Sequence, residues 1–232
     1  MNRRELVGIL AAASTASLYA GSVQGQAPQA AAPQLRPLPF DPAKLNGLSE
    51  KLIRSHYDNN YGGAVRRLAQ IEAQLAALPR DAAGFQVKGL RMEELIATNS
   101  VILHEVYFGN LGGDGKASGG LQQAIARQFG TFDKWEQDFR AISNSLGGGS
   151  GWAVLSMNFR DGRLHNYIAF DHTDNVAFGQ PILINDMFEH AYHMDFGSAA
   201  ARYIDAFMQN VNWAECTRRF DEASKVYASL KH

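Results

Sequence analysis

The stretch that decides the fold is WAVLSMNFRDGRLHNYIAF, residues 152–170, where two apolar runs flank Arg160-Asp161-Gly162-Arg163. Asp-Gly between such runs is a strong short-range hairpin signal, because glycine takes the positive φ of a tight reversal without steric cost. An all-helical chain is thereby excluded. Downstream, PILIN at 181–185 reads as a third short strand.

Upstream of the hairpin the period of the pattern changes. From Ser49 onward apolar residues recur at 52/53, 57, 61, 64/65, 68, 71, 75 and 78, the spacing of helix buried along one stripe. Gly62-Gly63 is a weak point inside that run and Pro79 ends it. A second helix, from about Met92 to Phe108, is apolar on more than one side and is therefore expected to be central. The glycine-rich GNLGGDGKASGG, residues 109–120, connects two halves. Two amphipathic helices follow, near 121–129 and, after the N-cap Thr131, through Phe132, Trp135, Phe139 and Ile142. Beyond the strands, Ser198 is read as the cap of a helix containing Tyr203, Ile204 and Phe207, and a last helix follows Trp213. The pattern is α+β, with helices in front and then helices around a small antiparallel sheet.

The chain has 232 residues, 46% hydrophobic and 19% charged, with a formal net charge of −1. No basic surplus points to nucleic acid. A single cysteine, Cys216, excludes an internal disulfide. The first residues place Arg3-Arg4 before a modestly apolar stretch, Leu6 to Ala20, and then Gly25-Gln26-Ala27. Residues 1–27 therefore read as a twin-arginine-type signal peptide, which predicts a periplasmic protein with no membrane anchor after signal removal. Residues 28–44 hold five of the seven prolines and no apolar periodicity, so they are expected to form an extended leader.

Titratable chemistry concentrates in DMFEHAYHMDF, residues 186–196. On a regular helix Asp186 and His190 share a face, as do Glu189 and His193. Phe188, Tyr192 and Phe196 are interleaved, which argues for burial, and buried carboxylates and imidazoles are costly without partners. A metal ion is a partner that accepts both. His56 and His104, one beside each early apolar stripe, would complete a set of three imidazoles and one carboxylate. Such a set suits manganese or iron, and less distinctively zinc.

With these residues in place the chain from about Pro39 onward resembles the iron/manganese superoxide dismutase family. That family carries a D-x-W-E-H-A-Y-Y signature in its second half, which stands here as Asp186-Met187-Phe188-Glu189-His190-Ala191-Tyr192-His193. LPFDPAKLNGLS at 38–49, HEVYFGNL at 104–111, GSGWAVL at 149–155 and YIDAFMQNVNW at 203–213 occur in the family's order. The resemblance implies an N-terminal helical hairpin domain at 45–112 and a C-terminal α/β metal-binding domain with a three-stranded antiparallel sheet at 113–232. It implies one Fe or Mn ion per subunit, held by His56, His104, Asp186 and His190. Asp186 would then end the last strand rather than begin a helix. The implied reaction is disproportionation of superoxide, and the implied assembly is a homodimer.

Departures from the family pattern fall around the expected site. The family's solvent-binding glutamine position in the first half is Ser100, so His172 is the expected solvent partner, with Trp152 packed beside the metal. Phe108 and Phe188 stand where tryptophans are usual. The family's gate tyrosine is Ala64, and Tyr61 is the nearest substitute. The tyrosine and histidine that usually meet across the dimer are His193 and Asn60, leaving Glu189 to reach His190 of the other subunit. These losses motivate an alternative, a dismutase-like metal-binding protein with little or no turnover. A zinc hydrolase is a third possibility, since open coordination also activates water.

Overall fold

The computed structural model describes residues 33–174 and 176–230. The expected signal peptide and leader residues 28–32 lie outside the described residues. From Pro33 to Leu38 the chain has no regular structure and it bends at Pro39-Phe40, after which Asp41 caps a short 3-10 turn at Pro42–Lys44 by accepting from Ala43 N. That turn corrects the expectation of a wholly extended leader. Proline at the first position of a helical turn loses no hydrogen bond and brings the right φ.

The first long helical run is not continuous. Ser49 caps α1 (Glu50–Ser55), its Oγ accepting from Leu52 N at 3.0 Å. The backbone then widens into a π turn over His56–Tyr61, with Gly62 N–H reaching Tyr57 O, before α2 (Gly62–Ala76) resumes regular geometry. Antiparallel to it runs α3 (Gly84–Gly109), which starts earlier than the apolar pattern indicates. Phe85 and Val87 in its first turns are exposed, so no buried stripe marks them in the sequence. Its second half buries Ala97, Val101, Leu103, Tyr107 and Phe108.

Two helices, α4 (Gly119–Phe129) and α5 (Phe132–Ser145), lead into the sheet. Its strands are β1 (Trp152–Asn158), β2 (Arg163–Ala169) and β3 (Gly179–Asp186), in the order β2-β1-β3 with both pairings antiparallel. The β1–β2 reversal falls at Asp161-Gly162, where Gly162 has φ +69° and a side chain would run into the ring of Tyr227. Strand β3 outruns PILIN at both ends. Its last residues pair across to Ala153 and Trp152, so the polar Asn185 and Asp186 are carried into the interior by the ladder.

The chain closes with α6 (His193–Phe196), α7 (Ala200–Gln209) and α8 (Trp213–Ser229). Ser198 is not a cap. Gly197, at φ +54°, turns the chain after α6, and the residue preceding α7 is Ala199, which makes no side-chain cap bond. One core serves both halves, joining Leu52, Tyr61 and Tyr107 to Trp135, Trp152, Leu183, Tyr203 and Phe207. Buried Asn110 pins the junction. Its Nδ2 donates to Ile184 O at 2.9 Å while its Oδ1 accepts from Arg219 of α8. No helix among the described residues is long and apolar enough to cross a membrane.

Candidate metal centre

Four elements meet at one point. The π turn presents His56, α3 presents His104, the last residue of β3 is Asp186, and a 3-10 turn at Glu189–Ala191 presents His190. Their donor atoms all lie within 4.8 Å of one another. Around Asp186 Oδ2 stand His56 Nε2 at 3.1 Å, His190 Nε2 at 3.3 Å and His104 Nε2 at 3.8 Å. Donors bound about 2.1 Å from a common ion stand about 3–4 Å apart, so the spacing fits a single metal.

The hydrogen-bond accounting agrees. Both ring nitrogens of His56 and Nε2 of His104 are buried without a hydrogen-bond partner. At 3.1 Å the approach of His56 Nε2 to the carboxylate lacks hydrogen-bond geometry. Buried polar atoms are nearly always satisfied, so the two unsatisfied Nε2 atoms facing one carboxylate oxygen mark a place suited to a cation. Burial pushes the His104 imidazole down to about 3 and also lowers His56, keeping these rings neutral. Burial works against the Asp186 carboxylate, yet His190 and His56 beside it hold it well below the usual range. His56 and His104 thus present neutral imidazoles beside one anion, a state suited to binding a metal.

Neighbouring groups fix how each ligand points. His104 Nδ1 donates to Ser100 O at 2.7 Å, which leaves Nε2 free to coordinate. Asp186 Oδ1 accepts from Phe188 N at 2.9 Å, and its main-chain carbonyl accepts from Tyr203 Oη at 2.8 Å. Tyr203 in turn meets Tyr107 Oη at 3.1 Å. These tyrosines read in sequence only as apolar helix positions. Their hydroxyls could not be assigned without knowing that α3 and α7 face the end of β3.

The expected Trp152 is fully buried, its ring 5.2 Å from that of His104 and nearly perpendicular to it. Its indole N–H donates to His172 Nδ1 at 3.1 Å. This bond places the proton of neutral His172 on Nε2. His172 lines a cleft of about 380 Å³ together with His104, His190, Ala64, Ser100 and Asn60. Ala64 and Ser100 leave this mouth wide, and Arg67, which sequence reading passed over, stands on it with Glu93 as its ion-pair partner. Phe188 packs against Trp152 at 5.6 Å, and Phe108 against His56 at 5.0 Å.

Tyr61 is not at the mouth. It is buried behind His104, and its hydroxyl, pushed up to about 12 chiefly by burial, donates to Glu105. The structure therefore does not bring it to the position of a gate. Glu189 and His193 do not join the metal set either. Both side chains are exposed, because the chain leaves β3 through a 3-10 turn instead of a continuous helix.

A helical hairpin and a small α/β half closing on three imidazoles and one carboxylate, with a mouth beside them, define a protein built to hold one metal ion. Sequence comparison narrows the class. Residues 117–219 match the iron/manganese superoxide dismutase C-terminal domain. An iron superoxide dismutase of Cupriavidus metallidurans is 55% identical over 191 residues, covering 82% of this chain and 97% of that protein. An iron enzyme of Aquifex pyrophilus is 33% identical and a manganese enzyme of Halobacterium salinarum 30% identical, each over 199 residues, covering 82% and 84% of this chain and 92% and 98% of those proteins. The chain belongs to the iron/manganese superoxide dismutase family.

Proposed function

We propose that this chain disproportionates superoxide to dioxygen and hydrogen peroxide at one Fe or Mn ion per subunit, held by His56, His104, Asp186 and His190. The observation that carries the reading is the convergence of these four donors, with unpartnered imidazole nitrogens, beside an open mouth. When bound, iron or manganese supplies one-electron cycling between trivalent and divalent states, which zinc cannot.

The chain's own residues supply the rest. Asp186 lowers the positive charge of the site, and His104 is held in one tautomer by Ser100 O. His172, oriented by Trp152, directs an Nε2–H donor to the mouth, where a proton must be delivered to each reduced oxygen. Trp152, Phe108 and Phe188 exclude water from the remaining sides. The cleft admits a diatomic anion easily.

Metal analysis combined with a superoxide-decay assay tests the reading. Iron or manganese near one per chain, with decay proportional to metal content, is the expected result. Bound metal without decay would favour a dismutase-like protein with little turnover, a reading motivated by Ala64 and Ser100 in the wide mouth. Zinc with hydrolytic activity would displace both.

Two further parts of the proposal concern context. Exposed Glu189 and His193, with Asn60 at the mouth, support a homodimer in which His193 meets Asn60 of the partner subunit and Glu189 reaches His190 of the partner subunit. A monomer by sedimentation velocity at micromolar concentration would remove that part. Arg3-Arg4 and the following apolar stretch support twin-arginine export to the periplasm, checked by the N-terminal mass of the chain from a periplasmic fraction.

A further inference from the structure

Behind the metal centre, on the side away from its mouth, the leader is held by the two elements that carry the first ligands. Arg36 donates its main-chain N–H to Tyr61 Oη at 3.0 Å, and its carbonyl accepts from Tyr57 Oη at 2.7 Å. Its guanidinium meets Glu105 at 3.1 Å. Tyr61 Oη completes the ring by donating to Glu105 Oε1 at 3.0 Å. Tyr57 directly follows the ligand His56, and Glu105 directly follows the ligand His104.

The rings continue the connection inward. Tyr61 stacks on the imidazole of His104 with centroids 6.2 Å apart and planes 21° from parallel. Phe108, packed against both Tyr61 and His56, fills the angle between them. The π turn is what makes this possible. A turn closed by i→i+5 bonds returns Tyr61 toward the face that carries His56, so both are buried together.

We propose that Tyr61 and Glu105, with the main chain of Arg36, are positioning residues that set the spacing of His56 and His104 for the ion; this rests on the metal-centre reading above. The bond from Tyr61 to Glu105 is charge-assisted and largely shielded, since Tyr61 is 1% exposed and the Glu105 side chain 18%. The Arg36 side chain is 75% exposed, so its ion pair is screened and contributes little. The hydroxyl and the leader's backbone therefore carry the clamp. Removing the Tyr61 hydroxyl breaks the direct bond between the π turn that carries His56 and Glu105, the residue next to His104.

The test uses the metal-loaded full chain, with Tyr61→Phe, which keeps the ring stack, and Glu105→Gln, which keeps an acceptor but drops the charge. The readouts are the rate of metal loss to a chelator, the EPR spectrum of the bound ion and the melting temperature. Tyr61→Phe is expected to lose metal about tenfold faster, with an altered EPR spectrum, and Glu105→Gln to fall between it and the parent. Parental loss rates and parental spectra in both variants would overturn the clamp, even if melting temperature fell, because a purely structural role moves only the latter. If the parent itself held neither iron nor manganese, the metal-centre reading would fail first, which separates the two claims.

Discussion

At the residue scale the mouth is decided by small side chains. Ala64 and Ser100 line a cleft of about 380 Å³ that reaches His104, His172 and His190. Ala64→Tyr would place a ring in that cleft. Inhibition by azide is expected to weaken roughly tenfold, about 1.4 kcal/mol; an unchanged inhibition constant would show that this residue does not control access. The role proposed for His172 is different, the delivery of a proton. His172→Ala is expected to keep its metal and lose turnover about 100-fold, since a positioned proton donor contributes on that order; full activity in steady-state superoxide decay would assign the proton elsewhere. Cys216 is buried and its thiol is pushed up to about 12, chiefly by burial, so it should resist thiol reagents in the folded chain and react only after denaturation. Rapid labelling of the native protein would contradict that.

At the scale of elements, ligand geometry depends on where each element stops. Strand β3 carries Asp186 to its last paired position, opposite Trp152, so one ladder sets both the carboxylate and the tryptophan that orients His172. The 3-10 turn that follows turns His190 back toward Asp186 and leaves Glu189 outside. Helix α7 secures this junction from behind through Tyr203 Oη on Asp186 O. Tyr203→Phe leaves that carbonyl and the Tyr107 hydroxyl short of a partner in a dry interior. A loss of about 1–3 kcal/mol is expected by urea denaturation of the metal-free chain; no change in the midpoint would mean that the bond contributes nothing net. The π turn shows the limit of pattern reading. Its apolar positions in sequence are compatible with a regular helix weakened at Gly62-Gly63, and only the packed chain shows the turn widened at His56–Tyr61.

At the scale of the molecule, the metal centre joins parts that are far apart in sequence. His56 and His104 come from the front half and Asp186 and His190 from the rear, across one shared core. Metal should therefore act as a staple between them. Stripping it with a chelator at low pH is expected to lower the melting temperature by about 10 °C, the shift for a ligand present near a thousandfold its dissociation constant in a chain of this size. Equal melting temperatures for metal-loaded and metal-free protein would mean that the ligands hold their places without the ion.

The residues alone determined the helical front, the Asp161-Gly162 hairpin, the third strand and the choice of three histidines and one aspartate. Each is local, or rests on a signature whose order along the chain can be read directly. Tertiary structure decided what that order does not encode. It sent Glu189 and His193 to the surface, oriented His172 through an indole proton and turned Tyr61 behind His104. The physical reason is that a side chain's role here depends on which partner closes its hydrogen bond. Partners drawn from residues as distant as Arg36, Glu105 and Tyr203 are chosen only when the core packs.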